Sequence, residues 1–179
     1  MLYHLNIDAF NFRIAPKNGN ITFDYVGSSE NDECNGGIAN LKDINVVKPV
    51  YNLEFFLTTT YGSSVVQNIG FIKIDAEGFD GEILKSLFGL IEKSPYQFPI
   101  QVEYYTPWVQ WTIANGVLHS GLRELLSVIK STPRNYQVSC AFSFTPVTIK
   151  IDQKTHEIIG AFDRFDKIIT CTDLLLSKK

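Results

Sequence analysis

The chain has 179 residues, 45% of them hydrophobic and 20% charged, with a formal net charge of -3. That is enough apolar material for one domain with a real core, and too little length for two. The lysines and arginines are scattered, which excludes the basic face a nucleic-acid partner needs. No apolar run approaches the roughly 20 residues of a membrane helix, and no leader pattern opens the chain, so no membrane partner is expected either. Cys34, Cys140 and Cys171 stand far apart in no metal-ligand spacing. They predict neither a disulfide framework nor a zinc site, and point to a reducing, cytoplasmic setting.

In chain order, residues 5–15 alternate as a strand, "PKNG" makes a turn, and "NITFDYV" reads as a second strand. The two are expected to pair as a hairpin. A polar, glycine-rich loop follows over 27–37, and "INVVKPVYNLEFFLTTTYG" supplies a short strand and a helical turn. "IGFIKID" is apolar on both faces apart from Lys73, and strands of that kind belong in buried parallel sheets. Phe79, Ile83, Leu84, Leu87, Phe88 and Ile91 then recur at helical spacing, predicting a helix over 79–91. A second parallel strand is expected at 99–104, after which an aromatic connection, "TPWVQWTIANGVLH", leads to a helix. Ser120 is its expected cap, and Leu122, Leu125, Leu126 and Ile129 form its apolar face. Strands near 136–144 and 166–172 close the chain as antiparallel neighbours around a long excursion. The fold class is therefore α/β, a mostly parallel sheet ending in an antiparallel hairpin.

The chemistry concentrates in "FIKIDAEGFDGEILKSL", where a strand gives way to a helix through four carboxylates. In a parallel sheet the carboxyl ends of the strands open on one side, so Asp75, Glu77 and Glu103 are expected at a common crevice. Carboxylates there can orient a hydroxyl, accept its proton or hold a divalent cation. Asp80 and Glu82 have a simpler use, since both complement the dipole of the helix they begin. For Asp75 and Glu77 the competing reading is equally plain: a loop cap and a solvated side chain. Tyr104, Tyr105 and Trp108 follow Glu103, either as a platform for a ring-bearing or sugar substrate or as packing for the connection. His4, His119 and His156 share no ligand spacing and are assigned no role.

The acidic stretch resembles the FkbM-type family of S-adenosylmethionine-dependent methyltransferases: an apolar run, Lys-Ile-Asp, a small residue, Glu-Gly, an aromatic residue, and a helix with "LK" near its middle. "FNFRIAPKNGNITFDYV" is similar to that family's third strand and turn, and "FPIQVEYY" to its fifth strand with a terminal Glu. The resemblance spans about residues 5–105. It implies a Rossmann-like methyltransferase sheet, methyl transfer to a hydroxyl of a small molecule or sugar, and S-adenosylmethionine as cofactor. Arg13, Ala15 and Asp75 would then contact the cofactor, with Asp75, Glu77 and Glu103 as catalytic groups.

The family's first two strands and glycine-rich turn have no counterpart, so residues 1–179 resemble a single, partial domain of that type. Two expectations follow. The chain by itself binds S-adenosylmethionine weakly or not at all, and the bare edge of "FIKID" is covered by an oligomer or a partner chain. The competing function is a binding or interaction module built on a methyltransferase-like remnant; a third is a metal-dependent enzyme using Asp75, Glu77 and Glu103.

Overall fold

A computed structural model describes residues 8–9, 13–15, 17–24, 45–76 and 78–179. Of the expected strand over 5–15, residues 5–7 and 10–12 lie outside these residues, as do the loop over 27–37 and Glu77. The described chain is mixed α/β with three small sheets.

The first sheet holds β1 (Arg13–Ile14), β2 (Gly19–Asp24) and β3 (Asn45–Tyr51) in the order β1-β3-β2. The expected hairpin between the first two strands does not form. β3 lies between them instead, antiparallel to β2 over six register pairs and parallel to β1. Its seven residues offer hydrogen-bonding groups on both sides, and Ala15 N–H donates to Tyr51 O at 3.0 Å on the β1 side. Helix α1 (Leu53–Tyr61) follows at once, its first turn closed by Asn52, whose side chain accepts from Phe55 N–H. A short 3-10 helix over Ser63–Asn68 leads to the second sheet.

That sheet has the order β4 (Ile72–Ile74), β5 (Ile100–Glu103), β9 (Asp173–Lys178), β6 (Tyr136–Cys140). β4 and β5 are parallel and joined through helices α2 (Asp80–Ser86) and α3 (Phe88–Lys93). The single helix expected over 79–91 is broken at Leu87. β9 runs antiparallel to both β5 and β6, so one of three strand pairs is parallel and the sheet is mixed rather than mostly parallel. The last strand also begins later than the expected 166–172. The excursion that precedes it takes up its own hairpin, β7 (Thr148–Ile151) with β8 (Ile158–Phe162), and Ile168 bridges to that hairpin.

Alternation decides which face is dry. Ile100 and Val102 of β5, Leu174 and Leu176 of β9 and Ile74 of β4 point into the core with Leu84, Leu90 and Ile91 of α2 and α3. Helix α5 (Ser120–Lys130) adds Leu122, Leu125, Leu126 and Ile129, the face its spacing predicts. Each fully buried aliphatic side chain contributes about 1.5–3 kcal/mol by leaving water. The other face carries Lys73, Gln101, Glu103 and Asp173, and Lys73 is exposed. The expectation of a β4 dry on both faces is corrected accordingly. At β4 the helices cover one face only.

The aromatic connection is itself a helix, α4 (Thr106–Asn115), with Pro107 in its first turn and Gly116 ending it in the left-handed conformation. α5 is capped by His119 rather than Ser120, since Ser120 is already helical and the His119 Nδ1 accepts from Gly121 N–H at 3.1 Å. Cys140, at the end of β6, and Cys171, just before β9, form a disulfide with Cα atoms 5.9 Å apart. Strand pairing joins cysteines that are 31 positions apart, which overturns the expectation of unpaired thiols. Among the described residues no helix is long and apolar enough to cross a membrane.

Candidate active site

The carboxyl ends of β4 and β5 meet the start of β9, and all three elements bring polar side chains to the face opposite α2 and α3. Strand register sets Lys73 beside Gln101 and places Glu103 opposite Asp173. Two carboxylates directly across an antiparallel pair repel one another unless something offsets them. Here Asp173, nearly buried, accepts from Gln101 Nε2 at 3.1 Å and from Thr172 Oγ1 at 2.9 Å. Lys73 completes the offset. Its ammonium donates to Asp75 Oδ2 at 2.7 Å, and this bond, the attraction of the Asp75 charge and the fields of Asp173 and Glu103 together hold the lysine above its ordinary range. That contribution is in place below the usual lysine value and disappears as pH rises through the raised one.

Lys73 is thus paired with Asp75 and feels the charges of Glu103 and Asp173 as well. Three carboxylates against one ammonium leave the cluster acidic, suited to a hydroxyl donor or a cation. Among the described residues no three His, Cys, Asp or Glu side chains are arranged to hold a metal ion; Glu77, which the metal-dependent alternative also uses, lies outside them.

The turn between β4 and α2 is held from within. Asp80, buried at the start of α2, accepts from Ala76 N–H and Gly78 N–H, both at 3.1 Å, and Phe79 N–H closes on Ala76 O. The cap is therefore Asp80, a residue that sequence reasoning assigned only to the helix dipole, and not Asp75. Burial raises the Asp80 pKa above the usual carboxylate value despite those bonds, with the Asp75 charge adding to the rise. The sign follows directly: the folded chain holds this proton more tightly than the unfolded one, so stability falls as pH rises from about 4 through the raised value and is flat above it. Denaturant unfolding across that window is expected to show the decline in wild type and to lose it in Asp80→Asn. Parallel pH profiles for the two proteins would refute the assignment.

Outside, the turn rests on aromatic rings. Gly78, at φ +96°, lies where an added Cβ would meet the Trp108 ring at 3.2 Å and Tyr105 at 4.0 Å. Trp108 also lies against Gly121, where an added Cβ would come within 2.5 Å of the ring, and it stacks on His119 at 5.1 Å between centroids. Tyr105 meets its edge at 4.9 Å. Two glycines thus admit one indole between the acidic turn and α5. Of the expected substrate platform, Tyr104 drops out, because it is 1% exposed and burial pushes its phenol up to about 12. Tyr105 and Trp108 remain half-buried beside the turn, where packing and contact with a ligand are compatible.

Comparison with protein-family models, curated proteins and solved structures finds no match for this chain. The site is therefore read from its own residues. Arg13 and Ala15, the other expected cofactor contacts, belong to the first sheet, where Ala15 is buried beside β3. Lys73, Asp173 and Gln101 were missed as site members. Lys73 and Gln101 were legible as alternation partners of Asp75 and Glu103, whereas Asp173 needed the register of β9.

Proposed function

We propose that the chain is the acceptor-side part of an S-adenosylmethionine-dependent methyltransferase of FkbM type, acting on a hydroxyl of a small molecule or sugar. The observation that carries this reading is the parallel β4–α2–α3–β5 unit, followed by antiparallel strands, with the Asp75 turn at its carboxyl end. Ligands of open α/β sheets bind at that end.

The donor set there fits the cofactor in part. A net acidic cluster suits a sulfonium, while the glycine-rich cradle for the methionine and ribose groups has no counterpart in the sequence. When bound, the cofactor supplies an electrophilic methyl group. The chain's own residues do the rest. Asp75 or Glu103 accepts the acceptor hydroxyl's hydrogen bond and takes its proton as the oxygen attacks. Lys73 fixes the Asp75 carboxylate, and Asp80 with Trp108 holds the turn in place.

Irradiating the chain with radiolabelled S-adenosylmethionine tests the assignment. Label is expected in the tryptic peptide Ile74–Lys85, displaced by unlabelled S-adenosylhomocysteine. Absence of label at millimolar cofactor would favour the second reading, a methyltransferase-like interaction module without cofactor. One observation supports that alternative: β4 is the edge of its sheet, with Phe71 half-exposed next to it. Edges of this kind add strands from a partner chain or a second copy. Its three-residue length and the charge on Lys73 blunt such pairing. The cytoplasmic assignment, which rested on unpaired cysteines, loses that support with the Cys140–Cys171 bridge.

A further inference from the structure

At the opposite end of the second sheet, where β6 begins and β9 ends, the molecule carries a cleft of about 600 Å³ between the end of α5, β6 and β7. That volume lies within the range of small-molecule sites. Its floor is apolar, with Ile129 and Val147 buried. Lys130, Arg134 and Lys179 line it, and no Asp or Glu side chain does. In a chain of net charge -3 this is a local reversal of sign. Among the described residues none of these three cations is in an ion pair. Arg134 donates one hydrogen bond, to Ser94 O, which anchors its guanidinium and leaves further donors of the fork for another acceptor.

Tyr136 lines the cleft at 8% exposure, and its hydroxyl is buried without a hydrogen-bond partner. Arg134 lies close enough for its charge to act on the Tyr136 phenol. Three carbonyls at the end of α5, which would otherwise repel an anion, are occupied: Ser131 N–H donates to Ser127 O and Val128 O, and Thr132 Oγ1 to Ile129 O.

We propose that this cleft binds a small organic oxyanion, a phosphate or carboxylate carried on an apolar body, with Arg134 and Lys130 as its polar contacts. The apolar part lies against Ile129 and Val147, and the anion faces the cations. The site is separate from the acidic cluster and does not depend on the methyltransferase reading.

Titration of the isotope-labelled full chain with phenyl phosphate and with benzoate, followed by amide shifts, tests this. Saturable shifts at residues 130–138 and 146–149 are expected at millimolar probe. Inorganic phosphate, which lacks the apolar body, is expected to bind about tenfold more weakly. Arg134→Gln should weaken phenyl phosphate about tenfold. Lys130→Gln, at an exposed position that leaves packing untouched, should weaken it about threefold. Response to phenyl phosphate alone assigns a phosphate ester, and response to both probes assigns oxyanions generally. No saturable shift at these residues with either probe would overturn the proposal. So would affinity unchanged in both Arg134→Gln and Lys130→Gln.

Discussion

Reduction of the Cys140–Cys171 bridge is expected to lower the unfolding free energy by about 3–4 kcal/mol, the loop-closure value for cysteines separated by 31 residues. The closed loop contains the whole β7–β8 hairpin, which meets the second sheet through the Ser139–Pro146 bridge. Without the bridge that segment gains freedom in the unfolded state while the folded contacts are unchanged, so the loss falls on the denatured side of the balance. Cys171→Ala should reproduce the effect, because its half-buried side chain leaves little cavity. Urea midpoints with and without reductant give the measurement. Stability unchanged within about 1 kcal/mol would mean that the bridge does not constrain the chain in solution.

The second large effect concerns chemistry. Replacing Asp75 or Glu103 by the corresponding amide removes a proton acceptor at nearly constant shape, and general-base contributions of this kind are worth about 10²–10⁴-fold. Asp75→Asn is expected to lower turnover in methyl transfer by that order. Glu103→Gln should do the same if Glu103 is the group that takes the proton, and otherwise leave turnover nearly intact. The folded state should survive both changes, since Asp75 sits on the surface in a half-exposed ion pair with Lys73, worth at most about 1 kcal/mol. Lys73→Gln offers a distinguishing control: it releases the Asp75 carboxylate without removing it, and is expected to reduce turnover less than Asp75→Asn. Full turnover in both amides would remove these carboxylates from the mechanism.

Much of the second half of the chain was legible. Continuous apolar character at 69–75 and 98–104 and helical spacing between them foretold the parallel β4–β5 pair, and the Leu122, Leu125, Leu126 and Ile129 face foretold α5. Local pattern failed where partners lie far apart in sequence. β2 alternates well but pairs with β3, because a seven-residue strand from further along offers more ladder than the two residues of β1. The apolar "KIIT" predicts a strand earlier than β9, yet Ile169 serves the β7–β8 hairpin, its N–H donating to Ala161 O. The site followed the same rule. Asp75 and Glu103 were visible as strand ends, whereas Asp173 enters only through the β5–β9 register, and Asp80 as a turn cap only through three-dimensional hydrogen bonding. Trp108 was legible as an aromatic but not as a wedge, since nothing local links Gly78 to Gly121.

The proposed function requires S-adenosylmethionine to bind at the Asp75 turn, at the carboxyl end of β4 and β5. A titration of the isotope-labelled 179-residue chain with the cofactor, followed residue by residue in amide shifts, tests it most directly. The predicted result is a saturable response of weak, millimolar affinity confined to residues 75–80 and 103–108, diminished in Asp75→Asn. No response of that turn at millimolar cofactor, or a response centred on other residues, would contradict the claim.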